Sequence, residues 1–183
     1  FSIYEGTNAI QSLDLQMRKI LMNKDMFNYS MLKKYFADTI AKAKGIVDER
    51  YVAPVERGIA KFDEIISMMV KQLQEGKFLA LVANATPMQQ AMFPLIVAWL
   101  HLWSLTITVP KSRELLGDAK GADRKKILET NPEAAYYNGR VLSAQFFIGA
   151  EFPKFFGRVE CVMNNEGAAI KAESENFTGA LKE

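Results

Sequence analysis

The chain has 183 residues, of which 49% are hydrophobic and 24% are charged, and its formal net charge is +2. This is enough apolar material for one good core or two small ones, which excludes a chain that is disordered over most of its length. The near-balanced charge argues against a nucleic-acid-binding protein. The one basic cluster, Arg124 to Lys126, is answered by Asp118, Asp123 and Glu129 and is typical of a solvated helix face.

The chain has a single cysteine, Cys161, and a single histidine, His101. One cysteine excludes an internal disulfide framework, and the pair cannot form a conventional zinc site, so we predict no metal. A reducing, cytoplasmic setting is the default expectation. His101 stands alone in an apolar segment and is predicted to be a hydrogen-bonded core residue rather than a catalytic one.

The first residues combine a turn with the start of a helix. Asn8, followed three residues later by Gln11, fits a capping box, and Thr7 is an alternative N-cap one residue earlier. A helix is predicted from about Ala9 to Met22. Its apolar residues recur at helical spacing: Ile10, Leu13, Met17, Ile20 and Leu21.

Glu5 projects from this turn ahead of the helix, since Gly6 permits a backbone conformation that other residues resist. Glu5 has two interpretations. It either complements the helix dipole, an interaction worth ~0.3–1 kcal/mol, or acts as a catalytic carboxylate held at a helix N-terminus. From spacing alone the first is favoured, because acidic residues near helix starts are common.

Two further helices are predicted between Ser30 and Gly76. The second helix of the chain runs from near Ser30 toward Gly45, and a continuation to Tyr51 stays open. Pro54 suits the first turn of the third helix, which ends before Gly76. The third helix carries an apolar stripe typical of a bundle core: Val55, Ile59, Phe62, Ile66, Met69, Val70 and Leu73.

A fourth helical segment is predicted to begin at Lys77 and to pause at residues 84–87, where Thr86 caps and Pro87 occupies the first helical position. The segment then continues to Leu116 and is stopped by Gly117. Trp99 and Trp103, four residues apart, are expected to share one face as packing residues.

No residue from Phe78 to Pro110 carries a formal charge, so this segment is either a membrane span or a buried helix. Residues 91–109 reach the ~20-residue length that a bilayer requires. The segment is nevertheless interrupted by Pro94, His101 and three hydroxyl residues, and it lacks a clear aromatic belt or a biased flanking charge. The sequence therefore favours a central helix packed on all sides by its neighbours, with no membrane span.

A short helical piece is predicted from Gly121 to Glu129, and a last long helix is predicted to start at Asn131 and to reach about Asn164. Pro153 predicts a kink within it. Its phenylalanines are expected to pack on the stripe of the third helix rather than at a subunit interface: Phe146, Phe147, Phe152, Phe155 and Phe156. The polar tail, residues 171–183, is predicted to be frayed or disordered. The fold class is thus all-α, an up-and-down bundle of about four to five long helices.

The stretch Ile3-Tyr4-Glu5-Gly6-Thr7-Asn8-Ala9-Ile10-Gln11 resembles the Tyr-Glu-Gly-Thr signature of the acyl-CoA dehydrogenases, and Leu13-Asp14-Leu15 with Arg18-Lys19 continues the resemblance. The resemblance implies that Glu5 is the catalytic base and that Gly6 lies beside the acyl thioester. It also implies that Thr7 and Asn8 help to hold FAD.

A second resemblance covers Ala134 to Phe147 with the following Phe152-Pro153, which is similar to the final helix of the extra C-terminal helical domain in larger bacterial acyl-CoA dehydrogenases. Enzymes acting on 3-methylthiopropionyl-CoA belong to that group. The domain division expected from it is the end of the dehydrogenase helical domain in 1–24, an appended bundle in 25–170 and a polar tail in 171–183.

The resemblance implies the C-terminal part of an FAD-dependent enzyme that oxidises an acyl-CoA thioester to the 2,3-enoyl-CoA. Its expected acceptor is an electron-transferring flavoprotein, and its expected assembly is a homo-oligomer without nucleic acid. The 183 residues alone are expected to be inactive, since the family's N-terminal helical and central β-domains are not among them. The alternative is a non-catalytic scaffold or subunit-interaction bundle in which Glu5 is incidental.

Overall fold

The computed structural model describes residues 7–179, and every regular element in that range is helical, so the all-α prediction is confirmed. The helix predicted from Ala9 to Met22 has an α-helical half and a π-helical half. The elements are α1 (Asn8–Leu13) with its π-helical continuation (Asp14–Leu21), a 3₁₀ turn (Lys24–Met26), α2 (Phe27–Ala43), α3 (Glu49–Gln74), α4 (Phe78–Ala83), α5 (Ala85–Leu116), α6 (Gly121–Thr130), α7 (Pro132–Phe146) with a π-helical continuation (Phe147–Glu151), α8 (Lys154–Met163), a 3₁₀ turn (Ala168–Ile170) and α9 (Glu175–Thr178).

Helix α5 lies at the centre of the bundle, with α1, α2, α3, α7 and α8 packed against it. Helix α7 runs antiparallel to α5, because Arg140 meets Ser104 while Phe147 lies beside His101. Helices α2 and α3 are also antiparallel, because Lys33 pairs with Asp63 while Lys44 pairs with Glu56. Large, fully buried side chains come from α2, α3, α5 and α8 and from the junction before α8: Phe36, Phe62, Ile65, Met69, Met88, Leu95, Leu102, Leu105, Phe152 and Phe155.

The start of α3 differs from the prediction. Asp48 is the N-cap and accepts a hydrogen bond from the backbone N–H of Arg50 at 3.0 Å, so the helix begins at Glu49 and Pro54 lies inside it. The earlier start buries Val52 completely, which favours the longer helix. Helix α2 does not continue to Tyr51, because the chain turns at Gly45 with φ +85°.

The predicted pause between α4 and α5 is found at Asn84, but Thr86 is not a cap and Pro87 is not the first helical residue. Helix α5 begins at Ala85. The Asn84 amide donates to the Ala80 carbonyl at 3.1 Å and to Asn165 Oδ1 at 2.7 Å. Pro87 is tolerated because the first-turn N–H groups of a helix have no intrahelical acceptor.

Helix α5 is not packed on all sides. Five large apolar side chains are 38% to 53% exposed and follow one face of the helix; we call them the α5 stripe: Phe93, Val97, Leu100, Trp103 and Ile107. Trp99 does pack, since its ring meets Phe36 and its Nε1 donates to Thr39 Oγ1 at 2.8 Å, whereas Trp103 is 49% exposed. Helix α5 is also long and apolar enough to cross a membrane, a property that core helices of soluble proteins share.

The last long helix starts as predicted, with Asn131 accepting from the backbone N–H groups of Glu133 and Ala134 at 3.0 and 3.1 Å. It is broken near Pro153, between the π-helical segment and α8. Phe152 and Phe155 are fully buried, as predicted, but Phe146 is 64% exposed and does not join the core. The described part of the polar tail contains the one-turn helix α9.

Candidate functional site

The predicted site residues lie at the beginning of the described chain. Glu5 and Gly6 lie outside the described residues, so their predicted roles stay predictions. Thr7 and Asn8 are described and form the N-terminus of α1. The structure therefore shows the support on which the predicted catalytic turn would rest.

The capping box predicted around Asn8 is not formed. Thr7 occupies the N-cap position and Asn8 is the first helical residue, and the Thr7 side chain caps no backbone N–H. The Thr7 carbonyl accepts from Gln11 N at 3.0 Å, and Gln11 Nε2 donates to Thr7 Oγ1 at 3.3 Å. The Asn8 side chain is exposed at the start of the helix.

Helix α1 is fixed to α5 by a buried serine. The hydroxyl of Ser12 is completely buried and lies 2.7 Å from both the Asn8 carbonyl and Gln89 Oε1. Thr86 Oγ1 approaches the same oxygen at 3.3 Å. The contacts with Gln89 and Thr86 tie the second turn of α1 to the first two turns of α5.

A second anchor lies in the π-helical half of the same element. Gln16 is completely buried, and its Nε2 donates to the Leu81 carbonyl at 2.9 Å and approaches Met69 Sδ at 3.4 Å. Its Oε1 has no partner in the described structure. This half of the element, Asp14–Leu21, is π-helical, a conformation that is frequent at functional sites.

Sequence reasoning missed both anchors. Ser12, Gln16 and Ile20 are four residues apart and lie on one buried face. Polar residues on the apolar side of an amphipathic helix need buried hydrogen-bond partners, so this spacing was the available signal.

A cleft of about 620 Å³ runs beside the start of α1. One wall comes from α1 and its continuation, with Ile10 and Leu15, and the other comes from α5, with Gln89 and Phe93. Asp14 and Arg18 form an ion pair on its rim, and the hydrogen bond from Arg18 lowers the pKa of the Asp14 carboxyl. The rim charges thus neutralise each other, and the cleft is mostly apolar.

The residues at the start of α1 fit the cofactor that the resemblance implies. A helix N-terminus favours anionic ligands, and the hydroxyl of Thr7 and the amide of Asn8 supply further hydrogen-bonding groups at the start of α1. Such a donor set suits the polar and phosphate-bearing parts of FAD.

The rest of the described chain offers little further catalytic chemistry. His101 was predicted to lie in the core. It is half-buried, with its ring 5.0 Å from that of Phe147, and so lies at the edge of the core. Burial, with a smaller contribution from Arg140, lowers its pKa and keeps the imidazole neutral near pH 7. Within residues 7–179 no three acidic, cysteine or histidine side chains are grouped to hold a metal ion.

Two comparisons with known proteins show what the chain is similar to. The sequence profile of the family described as "Acetyl-CoA dehydrogenase C-terminal like" matches residues 32–173. Two proteins named butyryl-CoA dehydrogenase, both from Syntrophomonas wolfei subsp. wolfei, align with almost the whole chain. One is 29% identical over 178 residues, covering 96% of this chain and 26% of the relative, and the other is 27% identical over 181 residues, covering 97% and 27%.

The chain spans about a quarter of the length of these curated relatives. No solved structure matches it significantly. The family profile begins after α1. Both alignments with the butyryl-CoA dehydrogenases extend over nearly all of the chain, so the similarity to these relatives includes α1 as well as the rest of the bundle. Since the profile covers well over half of the residues, the chain belongs to the acetyl-CoA dehydrogenase C-terminal-like family and is a C-terminal domain of the acyl-CoA dehydrogenase type.

Proposed function

We propose that the chain is the C-terminal part of an FAD-dependent acyl-CoA dehydrogenase that converts an acyl-CoA thioester to the 2,3-enoyl-CoA. The observation that carries the proposal is the alignment of two butyryl-CoA dehydrogenases over nearly the entire chain. Because both relatives carry that name, a short acyl chain is the first substrate to try.

Glu5 is the proposed base. Its carboxylate takes the α-proton of the thioester while a hydride leaves the β-carbon, and the two electrons left by the proton form the new C2–C3 double bond. FAD, when bound, supplies the acceptor for that hydride. Gly6 gives the thioester room to approach the backbone, and Thr7 and Asn8 hold polar groups of the cofactor at the start of α1.

The described residues support this chemistry through positioning. A base must lie within hydrogen-bond reach of its proton, and a displacement of about 1 Å can cost ~100-fold in rate. The Ser12 contact with Gln89 and the Gln16 contact with Leu81 hold α1 on the bundle, one and two helical turns beyond Thr7. In this proposal the appended bundle holds the catalytic turn in place. The bundle needs no catalytic residues of its own for that role.

The further properties of the whole protein are part of the same proposal. We expect an electron-transferring flavoprotein as acceptor, a homo-oligomeric assembly and a reducing cytoplasmic setting. Cys161 is exposed and is the only cysteine of the 183 residues, which suits such a setting. The 183 residues alone are expected to be inactive.

The first experiment compares turnover of butyryl-CoA by the full-length protein and its Glu5→Gln variant. A general base contributes ~10²–10⁴-fold, so we expect Glu5→Gln to lose at least about 100-fold in kcat. Glu56→Gln is the matched control, because Glu56 is half-exposed in an ion pair between α3 and Lys44 of α2, and its substitution should leave kcat unchanged. Full turnover by Glu5→Gln would contradict the assignment of the base.

A further inference from the structure

The α5 stripe is an extended row of exposed apolar side chains on one described helix. Its members are spaced four, three, three and four residues apart, so they follow one face for about 20 Å. No formal charge lies between Lys77 and Lys111 to interrupt the stripe. Five large side chains, each about half-exposed, make a patch on the order of 500 Å², near the upper limit for a monomeric soluble protein.

The surface where α2 and α3 meet carries charged side chains. Helices α2 and α3 carry ion pairs there, with Lys33 2.9 Å from Asp63 and Lys44 2.9 Å from Glu56. The surface of the bundle thus has ion pairs between α2 and α3 and an apolar stripe on α5 whose own residues are uncharged. A surface of the second kind marks an interaction site.

The stripe is continuous with the helix that carries the predicted catalytic motif. Phe93, at one end of the stripe, lines the 620 Å³ cleft together with Ile10 and Leu15, and Ile10 is itself 67% exposed. The chain that leads into Thr7 is thus attached beside this end of the stripe. Polypeptide preceding Thr7 would meet the stripe at the millimolar effective concentration that a short covalent connection provides.

We propose that the α5 stripe and Ile10 dock against an uncharged apolar surface of the catalytic body, meaning the part of the longer polypeptide that precedes residue 7. The inference rests on the proposed function, which assigns the chain to a larger enzyme. It is favoured by the alignment with relatives about four times as long, which leaves most of their length outside this chain, and by the position of the stripe next to the point of attachment.

Hydroxyl-radical footprinting of the full-length protein, read out by mass spectrometry, tests the proposal without requiring activity. Trp103 is 49% exposed here, so docking should lower its reactivity at least about fivefold from the value that this exposure gives. Phe146, at 64% exposure and outside the stripe, is the internal reference and should react freely. If Trp103 and Phe146 both react as strongly as their exposed fractions predict, the proposal is overturned.

Two variants identify the occupant. Leu100→Glu places a charge in the middle of the stripe and should raise Trp103 reactivity severalfold while the mass of the assembly, measured by sedimentation, stays the same. Leu142→Glu, at a similarly exposed leucine on α7, should change neither quantity. Circular dichroism verifies that both variants fold.

Other outcomes point elsewhere. If Leu100→Glu halves the mass, the stripe joins two copies of the chain, and if Trp103 is protected only after phosphatidylglycerol vesicles are added, the stripe binds membranes; each result overturns the proposal. A reactive stripe in a protein whose flavin is reduced by acyl-CoA refutes the docking alone. A protected stripe in a protein that acyl-CoA does not reduce refutes the proposed reaction alone.

Discussion

Gly58 lies where α3 packs closely against Phe152, near the end of the last long helix. A Cβ at this position would lie 2.6 Å from Cζ of Phe152, a completely buried ring stacked on Phe155 with centroids 5.0 Å apart. Leu95 Cδ1 also lies 3.3 Å from the same Cβ, so an added methyl group would crowd two buried side chains. The absence of a side chain in α3 thus makes room for an aromatic core residue.

Gly58→Ala should therefore destabilise the protein. Alanine gains ~0.5–1 kcal/mol in helix propensity, but overpacking a core costs ~1–3 kcal/mol, so we expect a net loss of about 1–2 kcal/mol in the free energy of unfolding. Gly139→Ala is the matched control, because a Cβ at Gly139 in α7 meets nothing within 4 Å and should stabilise slightly. Urea unfolding of both variants measures the difference, and a stabilised Gly58→Ala would refute the packing.

Tyr29 makes a prediction about pH. Its hydroxyl donates to Asp63 Oδ1 at 2.5 Å in a largely buried position, and burial, followed by the carboxylate, raises the phenol pKa above its ordinary value of about 10. The folded protein thus keeps a proton that the unfolded chain releases above pH 10. The free energy of unfolding should fall with rising pH there, by up to about 1.4 kcal/mol per pH unit.

Tyr29→Phe should remove that high-pH decline and cost about 1 kcal/mol at pH 7 through the lost hydrogen bond. Tyr35→Phe is the control at an exposed position of the same helix. Unfolding free energies measured by urea titration at pH 7, 10 and 11 give the comparison. An unchanged pH slope in Tyr29→Phe would show that another group is responsible.

At the scale of elements, Asn165 holds three parts of the bundle together. Its Oδ1 accepts from Gln72 Nε2 of α3 at 3.0 Å and from Asn84 Nδ2 at the α4–α5 junction at 2.7 Å, while its own backbone lies beyond the end of α8. The residue has φ +48°, a left-handed conformation that asparagine tolerates better than most residues. A single acceptor therefore fixes the pause between α4 and α5.

Asn165→Ala would leave two buried amide donors without this acceptor and place alanine in the left-handed region. Each unsatisfied donor costs ~1–3 kcal/mol, so a total loss of about 2–4 kcal/mol in the free energy of unfolding is expected. Asn164→Ala changes an exposed neighbour with ordinary helical φ and should cost less than about 0.5 kcal/mol. Similar effects of the two substitutions in thermal or urea unfolding would contradict the role of Asn165.

Element boundaries show where local sequence signals succeed. Asn131 followed by Pro132 marked a helix start that the structure confirms, because an asparagine N-cap and a proline in the first turn act locally. Pro54 and Pro87 also predicted the first turn of a helix, but the helices begin earlier than these signals indicated. Burial of Val52 and the cap at Asp48 extended α3 backwards, and Asn84 is used by Asn165, a residue 81 positions away that no local pattern reveals.

At the scale of the whole molecule, the all-α class followed from helical periodicity, but the exposed side of α5 did not. Uncharged residues from Phe78 to Pro110 indicated burial on every side, and the structure shows that one face remains exposed within these described residues. Composition cannot distinguish a helix buried within its own domain from one that is completed by another part of the protein. The predicted division at residues 24/25 and the roles of Glu5, Gly6, Thr7 and Asn8 stay predictions.

The most direct measurement of the central claim follows the flavin absorbance of the full-length protein while butyryl-CoA and longer acyl-CoA thioesters are added without oxygen. We expect a yellow protein that is bleached by at least one thioester in a single turnover, with bleaching slowed at least about 100-fold in Glu5→Gln. A protein that holds no flavin, or whose flavin stays oxidised with every thioester, would contradict the claim and leave a helical interaction domain.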